Sequence, residues 1–492
     1  MGKHKYTIGI MLLLLVVGCS KDFLDKQPLD TINTENYPKT ADELVTVVNG
    51  AYQPLQWPKL YNMRMWTSDI MAGNSIVGAG GGSDGIETQD MSNFVTQPDN
   101  AGVLDLWRGP WPGILMSNIV LETAPLLDID EAIKTRSMGE AHFLRALYYF
   151  ILVRYFGDVP LVTVPLSSDD DLLPARDPVD EVYGLIVDDL NEAIGLLPTK
   201  SSYAQQDLGR ATKGAAAGLL AKVYLTLGNY EKVVEMATMV EGLGYELNAD
   251  YSDNFNIDME NSKESLFEVQ YASDGGYGFW DNENQASWTS PFMGPRGANF
   301  VAGGYGWNQP TQEFMDQYEP GDLRKDVTVL YEGCPDFDGK AYKSSYSLTG
   351  YNVRKFLVPL SVVPGYDNSP LNFPVLRYSD VLLMKAEALN ELGRTSEAEP
   401  YLNMVRNRAG LGNIQTGLGK TEFRNAVLKE RRMELAFEGQ RWFDLIRVDG
   451  GQYGLDFLHS IGKTNASSKH LLFPVPQIEI DRNPNLSQNP GY

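Results

Sequence analysis

The sequence predicts a mainly α fold, a tetratricopeptide-like helical-repeat superhelix that carries a large loop-rich insertion with short strands. Three observations support this. Within Ser137–Val164, Leu144, Leu147, Tyr148, Ile151, Leu152 and Tyr155 recur at helical spacing, while Phe143, Ala146, Phe150 and Val153 add a second apolar face. A soluble helix that is apolar nearly all round packs on several sides, so this one is predicted to be central. Its short apolar run and its Arg145 and Arg154 argue against a bilayer span. A helix–turn–helix pattern also occurs twice, once around Leu227-Gly228 and again, far along the chain, around Leu392-Gly393. Between them, residues 246–372 hold a stretch with neither helical nor strand period.

The chain order begins with an export signal. Lys3 and Lys5 form a basic region, Ile8–Val17 is apolar, and Leu15-Val16-Val17-Gly18-Cys19 resembles a bacterial lipoprotein box. Residues 1–18 are therefore expected to be removed, leaving Cys19 lipidated and the chain anchored to a membrane by acyl chains. Cys334 then stands alone, so no disulfide is expected. Thr40-Ala41-Asp42-Glu43 opens the first helix with a capping residue and early acids. It runs to about Gln53, and Pro54–Gln97 follows as an irregular stretch rich in Trp, Met, Gly and Asn. Its Gly80–Gly85 run matches GxGxxG but follows no strand, which rejects a dinucleotide site.

Trp107–Leu127, Asp130–Phe156 and Asp177–Leu196 are the next predicted helices. Gly157 and Pro160 stop the central one. Ala217–Leu225 and Glu231–Gly242 form the first repeat pair; Val381–Leu392 and Ser396–Arg408 form the second. Small residues (Ala217, Ala221, Ala386, Ala388) allow close packing, and such pairs bury their faces only by stacking. The excursion opens with a possible strand, Glu264–Tyr271, and Thr421–Phe437 is helical again. Prolines 474, 476, 484 and 490 mark an extended tail. The expected organisation after the signal is one domain over 19–492. It has a helical scaffold at about 40–245 and 373–447, a ligand-binding excursion at about 246–372, and the tail at 448–492.

The formal charge of −23 argues against nucleic acid, whose binding rests on cations that neutralise phosphates. His142, His459 and His470 do not fall into a metal-binding spacing, and no GxSxG occurs. No catalytic residue, metal or cofactor is therefore expected.

Several segments, in order, resemble the SusD/RagB family. They are Cys19…Phe23-Leu24-Asp25, Glu140–Ala146, Arg154–Val162, Gly209–Lys213, Arg377–Met384, Glu430–Leu435, Glu438–Leu445, Phe473–Pro476 and Asn483–Tyr492. The resemblance implies a non-catalytic, outer-membrane, cell-surface lipoprotein of Bacteroidetes. Such a protein captures glycan, an oligosaccharide or polysaccharide, for a SusC-like TonB-dependent transporter. Ser20-Lys21-Asp22 resembles the short signals that send such lipoproteins to the surface. The implied fold is a superhelix of four tetratricopeptide-like pairs supporting a loop-rich half. Arg145, Arg154, Arg431, Arg432 and Asp444 are expected in buried or half-buried ion pairs.

Two alternatives remain at this point: a peptide-binding import lipoprotein, and a surface glycoside hydrolase, although no stretch singles out a carboxylate pair. Sugars offer an apolar C–H face and a polar rim, so flat rings flanked by donors and acceptors are the expected ligand site. Ala272–Gly306 offers Tyr277, Trp280 and Trp288 with Asn282, Asn284 and Arg296; the loop after the first helix offers Trp57 and Trp66, then Asp69 and Asn74. Trp280→Ala and Trp288→Ala are expected to weaken glycan binding and to leave the melting temperature nearly unchanged.

Overall fold

The structure is a computed structural model that describes residues 37–78, 84–166, 172–273 and 278–492. Cys19 and the export signal, Tyr277 and most of the rejected glycine run lie outside the described residues. The long helices of the array are α1 (Ala41–Tyr52), α2 (Trp111–Thr123), α3 (Glu131–Phe156), α4 (Val179–Leu196), α5 (Lys213–Thr226), α6 (Tyr230–Glu241), α7 (Tyr378–Glu391), α8 (Thr395–Arg408) and α9 (Lys420–Glu434). Each packs on the next, α1 on α2 through to α8 on α9. The α6–α7 contact is the informative one, because it stacks the two repeat pairs directly although the whole excursion separates them in sequence.

Capping sets the ends. Thr40 accepts from Glu43 N at 3.3 Å and the Glu43 carboxylate accepts from Thr40 N at 3.1 Å, which closes a capping box on α1. Asp130 caps α3 through Ala132 N and Ile133 N, and Gly157 ends it at φ +71°. Every residue of α3 from Phe143 to Phe156 is buried, with α2 and α4 flanking it and α1 and α5 also in contact. Tyr148 ties α3 to α1 by donating to Ala51 O at 2.7 Å. Gly113 lets α2 lie against the same ring, since a Cβ there would come within 2.0 Å of Tyr148.

The excursion is clamped at its two ends. Strand β1 (Ser265–Val269) pairs antiparallel with β2 (Phe373–Arg377), and both lie over α5. Gly218 of α5 makes room for Leu266 and Leu376. Beneath this clasp, buried charges pair with one another. Arg377 meets Glu264 at 2.7 Å, Glu434 at 2.9 Å and Glu438 at 2.8 Å; Arg408 meets Glu264 and Glu434; Arg324 meets Asp322, Glu430 and Glu434. Lys355 closes the network on Glu438 at 2.5 Å, and burial pushes its ammonium down to about 8.

The expected ion pairs form at Arg145 (Asp189), Arg431 (Asp380 and Asp444) and Arg432 (Glu313). Arg154 forms none among the described residues. Its guanidinium lies 4.0 Å from the Phe150 ring centroid and 3.7 Å from that of Phe443, with Nε donating to Phe150 O at 3.0 Å. Local structure differs from expectation in three further places. The helix expected over Trp107–Leu127 is divided at Gly109-Pro110 into Ala101–Arg108 and α2. Pro54–Gln97 contains helices Arg64–Met71 and Ile86–Ser92. The tail is not simply extended: Gln452–Ser460 and Gln477–Arg482 are helical, because its prolines all fall outside those two segments. Phe473 stacks on Tyr155 at 5.3 Å and anchors the tail to α3.

Candidate functional site

The two irregular stretches fold against one another. Asn62 accepts from Trp288 N at 2.7 Å and donates to Ala286 O at 3.1 Å. Trp57 Nε1 and Gln53 Nε2 both donate to Asn282 O. Gln309–Pro310 pairs with Ser75–Ile76. Gly85, at φ +64°, lies so close to Trp307 that a Cβ would stand 2.4 Å from its ring. A short helix, Thr289–Met293, and backbone bonds from Tyr305 N to Pro291 O and from Trp307 N to Phe292 O hold the segment in a compact turn.

These constraints gather aromatic rings in two layers. Phe279 is the hub, with ring centroids 4.8 Å from Trp280, 5.1 Å from Trp288 and 4.8 Å from Phe292. Phe292 continues to Tyr305 at 5.4 Å and Trp307 at 5.5 Å, and Trp288 meets Tyr366 edge-on at 5.5 Å. The outer layer faces solvent: Trp280 is 60% exposed, Tyr366 49% and Tyr305 36%. Trp288, Trp307 and Trp66 form the buried layer below. Exposed rings in a cluster are unusual on a soluble surface and mark a place where a partner supplies the missing contact.

A polar rim surrounds them. Arg296 donates from Nε to Tyr305 O at 2.7 Å and from its terminal nitrogen to Asp84 at 2.9 Å. Asp281 accepts from Gly278 N at 2.7 Å, and Asn282 and Glu283 are exposed beside it. Gln285, at the end of the 278–285 segment, also lines an open cleft of about 590 Å³, bounded by the end of α1, residues 206–210 and β1.

The residues expected to bind ligand therefore separate. Trp280 belongs to the outer layer and Arg296 to the rim, while Trp288 lies directly beneath. Trp57 and Trp307 are buried plugs. Trp66, Asp69 and Asn74 are corrections: all three are 0% exposed and belong to the scaffold. Asp69 accepts from Gly439 N at 2.8 Å, Phe437 N at 3.3 Å and Asn74 Nδ2 at 2.7 Å, and Asn74 in turn accepts from Arg432 Nε at 2.8 Å. Burial pushes the Asp69 carboxyl up to about 6 against these stabilising bonds. Phe279, Phe292, Tyr305 and Tyr366 were not among the expected binding residues. Tyr366 sits in Pro364-Gly365-Tyr366-Asp367-Asn368, an aromatic in a turn-forming segment, which is the same compositional signal that singled out Trp280.

Known proteins resemble the chain over its whole length. The family model described as "SusD family" matches residues 263–492, and one described as "Starch-binding associating with outer membrane" matches 22–225. SusD-like protein P2 of Formosa agariphila is 31% identical, the alignment covering 100% of each chain. Among solved structures, a laminarin binding SusD-like protein superposes with a TM-score of 0.79 at 29% identity, over 92% of this chain and 100% of the other. Surface glycan-binding protein A from Bacteroides thetaiotaomicron, in complex with laminarihexaose, superposes with a TM-score of 0.79 at 25% identity and the same coverage.

Proposed function

The chain belongs to the SusD family, and from that premise we propose that it is a cell-surface glycan-binding lipoprotein of the outer membrane. It is a binding protein and not an enzyme. The observation that carries this reading is the outer ring layer, Trp280, Tyr305 and Tyr366, exposed above buried tryptophans and edged by Arg296 and Asp281. Rings held flat by a packed layer beneath them offer the C–H face of a sugar an apolar surface at low ordering cost, and the rim supplies directional hydrogen bonds. Trp280 is the central stacking residue of the proposal, Trp288 supports it and Arg296 completes the edge, while Tyr277, outside the described residues, is proposed as a further ligand contact. Laminarin and laminarihexaose are the first probes, because they are named for two of the similar structures.

The finer parts of the proposal concern delivery. Cys19 carries the lipid anchor, the scaffold and the excursion act as one unit over 19–492, and captured glycan passes to a SusC-like TonB-dependent transporter. In whole cells, surface labelling should find the wild type at the outer membrane and Cys19→Ala in the soluble fraction, with the transporter co-purifying from native membranes in mild detergent. Calorimetry against glycan and peptide panels, with product analysis, tests the binding claim. Peptide binding without glycan binding, or cleavage of the glycan, would replace it.

A further inference from the structure

We propose that the cleft beside the ring platform is a second subsite, which takes neutral sugar units from the same chain whose other units lie on the platform. The proposal rests on the platform being a glycan site. The two places share one wall: residues 278–285 contribute Trp280 to the platform and Gln285 to the cleft. The five residue steps from Trp280 to Gln285 span at most ~18 Å even when fully extended, so a single oligosaccharide can reach both.

The chemistry of the cleft selects the ligand class. Among the described residues, both charged side chains that line it are already satisfied. Arg210 pairs with Glu140 at 3.0 Å and Asp207 at 3.1 Å, and donates to Asn49 at 3.0 Å. Glu268 is buried and accepts from Asn261 N and Asn372 Nδ2. An anionic or cationic ligand would find no free counter-charge here. What the cleft offers is amides. Gln53 and Gln56 are fixed because their N–H groups donate to Asn282 O at 2.9 Å and Gln270 O at 2.7 Å, which leaves each Oε1 as an acceptor. Gln206 and Gln285 are exposed, and their side-chain amides have no hydrogen-bond partner among the described residues. A side-chain amide presents a donor and an acceptor side by side, which complements neighbouring hydroxyls that both donate and accept. Phe267, Leu55 and Val269 supply an apolar floor for the C–H faces.

The test is calorimetric titration of the mature, otherwise full-length chain with laminari-, malto-, xylo- and manno-oligosaccharides, each of three and six units. In the series that binds, the hexamer should bind more tightly than the trimer. Gln206→Ala with Gln285→Ala should weaken the hexamer about tenfold and leave the trimer unchanged, as expected for two hydrogen bonds lost. Thr46→Trp, at an exposed position on the cleft wall, should reduce hexamer binding to the trimer level by filling the space. Trp280→Ala should weaken both lengths. If the glutamine variants leave the hexamer unaffected, or weaken trimer and hexamer equally, the subsite is overturned while the platform stands. If the unaltered chain binds no series, the platform reading falls and the subsite with it.

Discussion

The clasp beneath β1 and β2 and the ring platform handle exposure in opposite ways. At the clasp, Arg324, Arg377 and Lys355 are buried and the Arg408 side chain is 4% exposed, and each is answered by carboxylates from other segments. At the platform, large apolar rings are left in solvent while the few charges stay on the rim. Closing a region on itself yields fixed geometry and no affinity for anything else. Leaving rings unsatisfied forgoes burial free energy, at about 25 cal/mol per Å² of apolar surface, until a ligand covers them.

The largest expected effect breaks the clasp. Arg377→Met removes the shared partner of Glu264, Glu434 and Glu438 and leaves buried carboxylates under-compensated, a change that costs about 3–5 kcal/mol. Denaturant unfolding should show that loss, while glycan affinity per folded molecule stays at the wild-type level. A variant within about 1 kcal/mol of wild type would mean that the network sets register and adds little stability.

Within the platform the two tryptophans should behave differently, which revises the expectation from sequence that neither affects melting. Trp288 is 5% exposed and supports Phe279 and Tyr366, so Trp288→Ala should cost about 3–5 kcal/mol and weaken binding as well. Trp280→Ala should weaken glycan binding at least tenfold, with stability within about 0.5 kcal/mol of wild type. Equal destabilisation by the two would erase the distinction between layers.

How much of this was readable in the residues depends on what creates each feature. The central helix α3 was readable because two apolar faces at helical period survive in the sequence. The repeat pairs were readable because turn residues recur in the same context. Helix Arg64–Met71 was not readable, because it is only two turns long and its polar residues Arg64, Thr67, Ser68 and Asp69 are buried together with its apolar ones. Strand β2 was missed for a related reason: Phe373–Arg377 is buried throughout and its partner lies on the far side of the excursion. Composition alone singled out Trp280, which the structure leaves exposed. Trp66 could not be separated from it, because Trp66 is buried by packing beneath Phe292, on a segment that Asp69 ties to the turn at Phe437 and Gly439, near the other end of the chain.

That turn gives the next prediction. The Asp69 carboxyl is pushed from the usual 3.8 to about 6 in the folded chain. Between those values the folded state holds more proton than the unfolded one, so this group lowers stability as pH rises from about 4 to about 6 and is constant above that. The change amounts to about 3 kcal/mol at most. Asp69→Asn has no such titration, so its stability relative to wild type should improve by up to that amount between pH 4 and pH 7. Denaturant midpoints at several pH values check it; parallel curves would mean that the bonds from Gly439, Phe437 and Asn74 offset the burial.

The smallest expected effect lies on the rim and tests whether an exposed charge there matters for shape or for energy. Arg296 and Asp84 are 44% and 41% exposed, so their ion pair contributes at most about 1 kcal/mol and weakens as salt screens it. The same guanidinium also holds Tyr305 O, which fixes the backbone carrying an outer ring. Arg296→Lys keeps the charge but replaces the planar fork with a single ammonium, which cannot reproduce both bonds in their present geometry. Melting should therefore barely move in either Arg296→Lys or Arg296→Ala, while glycan affinity falls several-fold in both because the Tyr305 ring is less firmly placed. If Arg296→Lys instead binds like wild type and only Arg296→Ala is weakened, the rim acts through its charge, and the platform does not depend on the fork to hold its rings.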